Sequence, residues 1–97
     1  MRTSNPPSYD KIFEIYNSTT TYNGGVGIMT ASVVGSHRGL LLVNTSTTTS
    51  NTAFTITNID GTTSAIAIAP GATLLPLQIW KLTVASAQGF IRIYGLV

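Results

Sequence analysis

The sequence predicts an all-β domain: a small β-sandwich, with a jelly roll as the leading topology and an immunoglobulin-like sandwich as the second. Three observations carry that expectation. The chain has 97 residues, 43% of them hydrophobic, enough for one core in one domain of roughly 50–200 residues. No stretch sustains helical spacing, whereas β-branched and aromatic runs recur between turn signals at intervals of about 8–12 residues. Charged residues make up only 8% of the chain, against about 25% in an average globular protein. Sixteen Thr, nine Ser and six Asn supply the polar surface instead.

Residues 1–10 read as an extended arm, because Pro6 and Pro7 fix two φ angles and push Asn5 out of helical space. Such an arm either contacts another chain or packs back onto its own domain. The β domain occupies residues 11–97. Its first strand covers residues 11–16, followed by a Ser/Thr/Asn stretch and the breaker Asn23-Gly24-Gly25. A second covers residues 27–34, with Met29, Ala31 and Val33 alternating against Ile28, Thr30 and Ser32. After the break at residues 35–39, Leu40-Leu41-Leu42-Val43 is apolar on both faces and so belongs in the middle of a sheet. The low-complexity residues 45–52 form either an exposed loop or a strand edge.

Asp60-Gly61 lies between two β-rich runs, residues 52–59 and 62–69, and predicts a tight type I′ hairpin. That register sets Phe54 opposite Ala67 and Ile56 opposite Ala65. Pro70-Gly71 marks the next turn. Residues 73–77 follow, with Pro76 demanding an edge or a bulge. In residues 78–84, Gln78, Trp80, Leu82 and Val84 share one face, which predicts a buried Trp80. A turn at residues 85–89 leads to a last strand over residues 90–97, making seven or eight strands in all.

Little in this composition supports chemistry. One His and three acids, Asp10, Glu14 and Asp60, leave few catalytic combinations, and no Gly-x-Ser-x-Gly elbow is present. His37 reads as a solvated turn residue, so no enzyme is expected. With no Cys and a single His there is no metal-ligand spacing, and no cofactor motif follows the Gly24-Gly25-Val26-Gly27 cluster. The five basic residues are scattered, only His37-Arg38 standing together, so nucleic acid is not an expected partner. No apolar run approaches the roughly 18 residues of a membrane span, and residues 1–11 lack the apolar stretch of a secretory signal. Synthesis in the cytoplasm is expected. Asn17-Ser18-Thr19 and Asn44-Thr45-Ser46 match the glycosylation acceptor, a pattern common by chance in so Asn- and Thr-rich a chain.

Soluble monomers protect sheet edges with charges, Lys above all. Here long strands carry none, and the chain ends on the apolar Gly95-Leu96-Val97. Permanent assembly explains both.

Ala69-Pro70-Gly71-Ala72-Thr73-Leu74-Leu75-Pro76-Leu77-Gln78-Ile79-Trp80-Lys81-Leu82-Thr83, closing with Ile91-Arg92-Ile93-Tyr94-Gly95-Leu96, resembles a family of small tailed-phage virion proteins. In these a Pro-Gly turn leads to a Leu-Pro-Leu strand, a basic strand and a terminal Gly-Leu strand. The resemblance spans residues 60–97 and departs from the family at residues 85–89, where a Thr/Gly-rich turn is usual. It implies a capsid decoration (cement) protein on the exterior of a phage head, made in the host cytoplasm and bound to the major capsid protein. A homotrimer is the first expectation and a pentamer the second. The arm would then make capsid or oligomer contacts through Arg2, Asn5, Pro6, Pro7 and Tyr9. The alternative is a head-spike or fibre base, or a receptor- or glycan-binding virion protein, with Tyr22, His37 and Arg38 as host-contact loop residues.

Overall fold

A computed structural model of the chain describes residues 9, 11–32 and 37–97. The predicted arm over residues 1–10, with Arg2, Asn5, Pro6 and Pro7, therefore lies outside the described residues except for Tyr9. The strands in chain order are β1 (Ile12–Asn17), β2 (Thr21–Tyr22), β3 (Gly25–Val26), β4 (Met29–Ser32) and β5 (Gly39–Asn44). They continue as β6 (Ser50–Asn58), β7 (Thr63–Ile68), β8 (Gly71–Leu75), β9 (Ile79–Val84) and β10 (Ile91–Leu96). Eight of them build two four-stranded sheets, ordered β1-β10-β5-β8 and β4-β9-β6-β7, and β2-β3 form a separate small ribbon.

The pairing is antiparallel throughout: β1 with β10, β4 with β9, β5 with β8, β6 with β7, plus the contacts β10–β5 and β6–β9 that widen each sheet. Among these eight, the first therefore meets the last (β1–β10), the second the second-to-last (β4–β9), and so on inward to the β6–β7 hairpin. This is one long hairpin rolled on itself, the winding of a jelly roll. The predicted sandwich stands, and β5 lies inside its sheet as its all-apolar run requires.

The inner faces are filled by period-two side chains. Leu40 and Leu42 from β5, and Ile91 and Ile93 from β10, meet Phe54, Ile56, Leu82, Val84 and Met29 from the opposite sheet, with Tyr16 fully buried among them. Tyr16 stacks on Tyr22 at 5.8 Å between centroids and meets Phe54 edge-on at 5.7 Å, the arrangements that aromatic quadrupoles favour.

Two sequence expectations are corrected by extra residues in the ladders. The β6–β7 loop is not a two-residue type I′ turn. Gly61 N–H donates to the Asn58 carbonyl at 3.0 Å and Asn58 N–H to the Thr62 carbonyl at 2.8 Å, so Ile59, Asp60 and Gly61 form a three-residue loop. Among them Gly61 alone takes positive φ, +91°, the left-handed position of a type I turn with a bulge. One more loop residue shifts the register, so Phe54 faces Ile66 and Ile56 faces Ser64, not Ala67 and Ala65. Trp80 is not buried but 52% exposed. The β6–β9 register slips between Thr57 and Asn58, which pair with Lys81 and Ile79. Trp80 is the bulged residue, and Ile79 takes the inward place instead. Pro76 lies beyond β8, at the centre of a three-residue turn closed by Leu77 N–H to the Leu75 carbonyl at 2.8 Å.

Candidate functional site

Three short turns share one device. Asn17, Asn44 and Asp60 each stand two residues before a Thr or Ser, and each accepts through Oδ1 from that residue's backbone N–H and hydroxyl. The distances are 3.1 and 3.0 Å to Thr19, 2.9 and 2.7 Å to Ser46, and 3.0 and 2.7 Å to Thr62. The two acceptor-like Asn-x-Ser/Thr patterns are therefore turn-forming units. At Asp60 the Thr62 hydroxyl and N–H hold the carboxyl below its ordinary value.

Asn44 goes further. Its side chain is buried, and Nδ2 donates to the carbonyls of Thr48 and Ile68 at 2.9 Å each. Two donors and two acceptor bonds exhaust the amide's capacity, pinning the β5–β6 loop to β7. On the same end of the sandwich the buried Tyr16 hydroxyl donates to the Gly27 carbonyl at 2.7 Å and accepts from Gln88 N–H at 3.2 Å. Burial raises its pKa. The β5–β6 and β9–β10 loops are also tied directly. Ser50 Oγ donates to Gln88 Oε1 at 3.1 Å, and Thr45 N–H to the Phe90 carbonyl at 2.9 Å. Between these loops lies a cleft of about 210 Å³, walled by Asn44, Ser46, Thr48, Ser50, Gln88 and Phe90 among others.

At the other end, where β10 finishes and β5 begins, stand His37 and Arg38. His37 is 1% exposed, not the solvated turn residue its neighbours suggested, and so offers no surface to a host molecule. Its Nε2 accepts from Ile79 N–H at 3.0 Å, which puts the proton on Nδ1, a buried atom that finds no acceptor among the described residues. Burial lowers its pKa, since charging a dry imidazole costs desolvation. His37 is thereby a pin between the segment entering β5 and the first residue of β9. Arg38 is exposed, with its guanidinium 5.4 Å from the Tyr9 ring centroid, a cation–π distance. The Tyr9 hydroxyl lies only 2.8 Å from where a Cβ on Gly39 would stand. A side chain there would push the end of the Tyr9 ring aside. Tyr22 is at the opposite end, half-buried, its hydroxyl accepting from Asn17 N–H at 2.8 Å. The three proposed host-contact residues thus do not form one surface.

The outer faces of the sheets differ. Across the first run the rows Glu14–Tyr94–Leu41–Leu74 and Arg92–Val43–Ala72, with Ile12 beside them and its pairing partner Leu96 buried. Leu74 and Ile12 are 45% and 54% exposed. Across the second run Thr30–Thr83–Thr55–Ala65 and Ser32–Lys81–Thr57–Thr63. The edge strands β7 and β8 are joined by two residues, Ala69-Pro70, so they share one flank. From Gly61 to Trp80 that flank and its connections hold no charged residue.

Among the described residues no three His, Cys, Asp or Glu side chains come together, and no helix is long and apolar enough to cross a membrane. Composition could not reveal Asn44, Tyr16 or the cleft. The usable signal for the first was Asn-x-Ser directly after an apolar strand, read as a turn. Comparison with protein families, curated proteins and solved structures finds no match.

Proposed function

We propose that the protein is a structural component of a tailed-phage virion, a capsid decoration protein that binds the major capsid protein on the outside of the head as a symmetric oligomer. The observation that carries this reading is the bare flank. Strands β7 and β8 are the edges of both sheets on one side, largely exposed and without a charge. A lone soluble sandwich with such edges is a template for further strands, and natural monomers block them with Lys, Pro or bulges. A closed ring of sibling copies covers them without further protection. The similarity of residues 60–97 to small phage virion proteins supplies the setting, since these same residues make the flank.

A trimer is the first choice of ring and a pentamer the second. Copies straddling the borders between shell subunits bury area that must be re-exposed before the shell opens, and several weak contacts per ring act together. The arm, with Arg2, Asn5, Pro6, Pro7 and Tyr9, reaches the shell or a neighbouring copy, its root held by Tyr9 beside Gly39. Sedimentation of the purified protein, alone and with purified heads of the phage that carries its gene, tests the proposal. The expected result is a trimer mass that moves with the heads. A monomer that stays behind in the supernatant contradicts it.

A further inference from the structure

The cleft between the β5–β6 and β9–β10 loops has a composition that selects its ligand. Every side chain lining it is uncharged: Asn44, Ser46, Thr48, Thr49, Ser50, Gln88, Phe90 and Ile91, with Gly89. Phe90 is 63% exposed, an aromatic side chain open to water in the lining. The walls are braced rather than loose. Asn44 anchors one loop through four hydrogen bonds, the Tyr16 hydroxyl holds the backbone of the other, and Ser50–Gln88 links the two. The hydroxyls of Thr48 and Thr49 make no hydrogen bond among the described residues, and both residues are exposed. They are open to a molecule in the cleft, and the braced loops add little ordering cost.

We infer that this cleft binds one ring of a neutral saccharide. An anion would need a cation in the lining and a cation would need an acid, and neither is present. A purely apolar ligand would strand the Thr48 and Thr49 hydroxyls without partners. A sugar ring has the matching duality: a C–H face for Phe90 and uncharged hydroxyls for Thr48 and Thr49, beside the Ser50–Gln88 bond. The volume, about 210 Å³, is below the roughly 300–1,000 Å³ filled by drug-sized ligands, so it suits a single ring, such as the end of a glycan chain. If the protein is assembled on a larger particle, repetition of the site multiplies a weak single contact. The inference does not depend on that assembly, because every residue lining the cleft belongs to one chain.

The test is saturation-transfer NMR on the full-length protein with methyl glycosides of glucose, galactose, mannose, rhamnose and N-acetylglucosamine, with glucuronate as the charged control. The expected result is transfer from the protein to the ring protons of at least one neutral glycoside and not to glucuronate. Amide shifts should be confined to residues 44–50 and 88–91. Phe90→Ala, an exposed turn position whose loss leaves the core intact, should weaken binding about tenfold with an unchanged melting temperature. No transfer from any of the neutral glycosides, or transfer that Phe90→Ala leaves unaltered, overturns the inference. An oligomer that fails to form leaves this outcome readable, since the measurement needs no second copy.

Discussion

The two sheets share one interior but present opposite chemistry outward. On the β4-β9-β6-β7 sheet the rows are Thr, Ser and Lys with Ala65 at the edge, an almost wholly polar outer face. On the β1-β10-β5-β8 sheet the same positions are Leu, Val, Tyr and Ala, interrupted by Glu14 and Arg92. The first is a finished surface and the second continues into the bare edge of β8. Burying an aliphatic side chain is worth about 1.5–3 kcal/mol, so a partner gains on one face what it cannot gain on the other. The lesson is that alternation inside a strand decides which face is the core, while the residues left outside decide whether the domain is content alone.

A lysine exchanged into each face breaks or sharpens that contrast. Leu74→Lys sits at an exposed place in β8, so the fold should survive. It sets a charge on the β8 flank proposed to be covered, and self-association should weaken by at least about 30-fold, roughly 2 kcal/mol. Thr83→Lys, at the middle of the threonine face, should leave the mass unchanged and alter stability by no more than about 0.5 kcal/mol. Sedimentation of the two variants side by side checks both, and equal effects would erase the distinction between the faces.

A smaller effect concerns how the two sheets are held together. His37 enters β5 of one sheet and is bonded to Ile79 of the other. Its pKa is lowered in the folded chain by burial, so the unfolded chain takes up the proton more readily. The His37 contribution is therefore fully present above the ordinary value of 6.5 and is lost as pH falls below it towards the folded pKa. The melting temperature should be level near pH 7–8 and decline from about pH 6.5 downward. His37→Gln should flatten the decline between about pH 5 and 6.5. Any fall that persists in the variant only below about pH 4 is assigned to Asp60, whose pKa is also lowered.

What the sequence made legible was what depends on short-range pattern. The apolar run Leu40 to Val43 announced an interior strand, Pro70-Gly71 a turn, and the absence of helical spacing the fold class. What stayed hidden depends on single inserted residues and on long-range meetings. The extra residue at Gly61 moved the hairpin register by one, and the bulge at Trp80 turned a ring outward although its neighbours Leu82 and Val84 point in. His37 looked like loop punctuation between Gly35 and Gly39, because the backbone group that buries it is 42 residues away. The cleft is likewise invisible in a one-dimensional reading, since its walls come from loops whose linking residues, Ser50 and Gln88, are 38 apart. Asn44 was in plain view, but as a modification motif rather than the turn that its position after a strand produces.

The central claim is that β7 and β8 are covered by sibling copies. Amide hydrogen exchange of the concentrated wild-type protein measures this directly, strand by strand. The account predicts that amides of β7 and β8 pointing away from their in-sheet neighbours are protected to the level of β5 and β10, and become open in Leu74→Lys. Exchange there as fast as in the residue 45–49 loop, with the wild-type protein at full concentration, would contradict it.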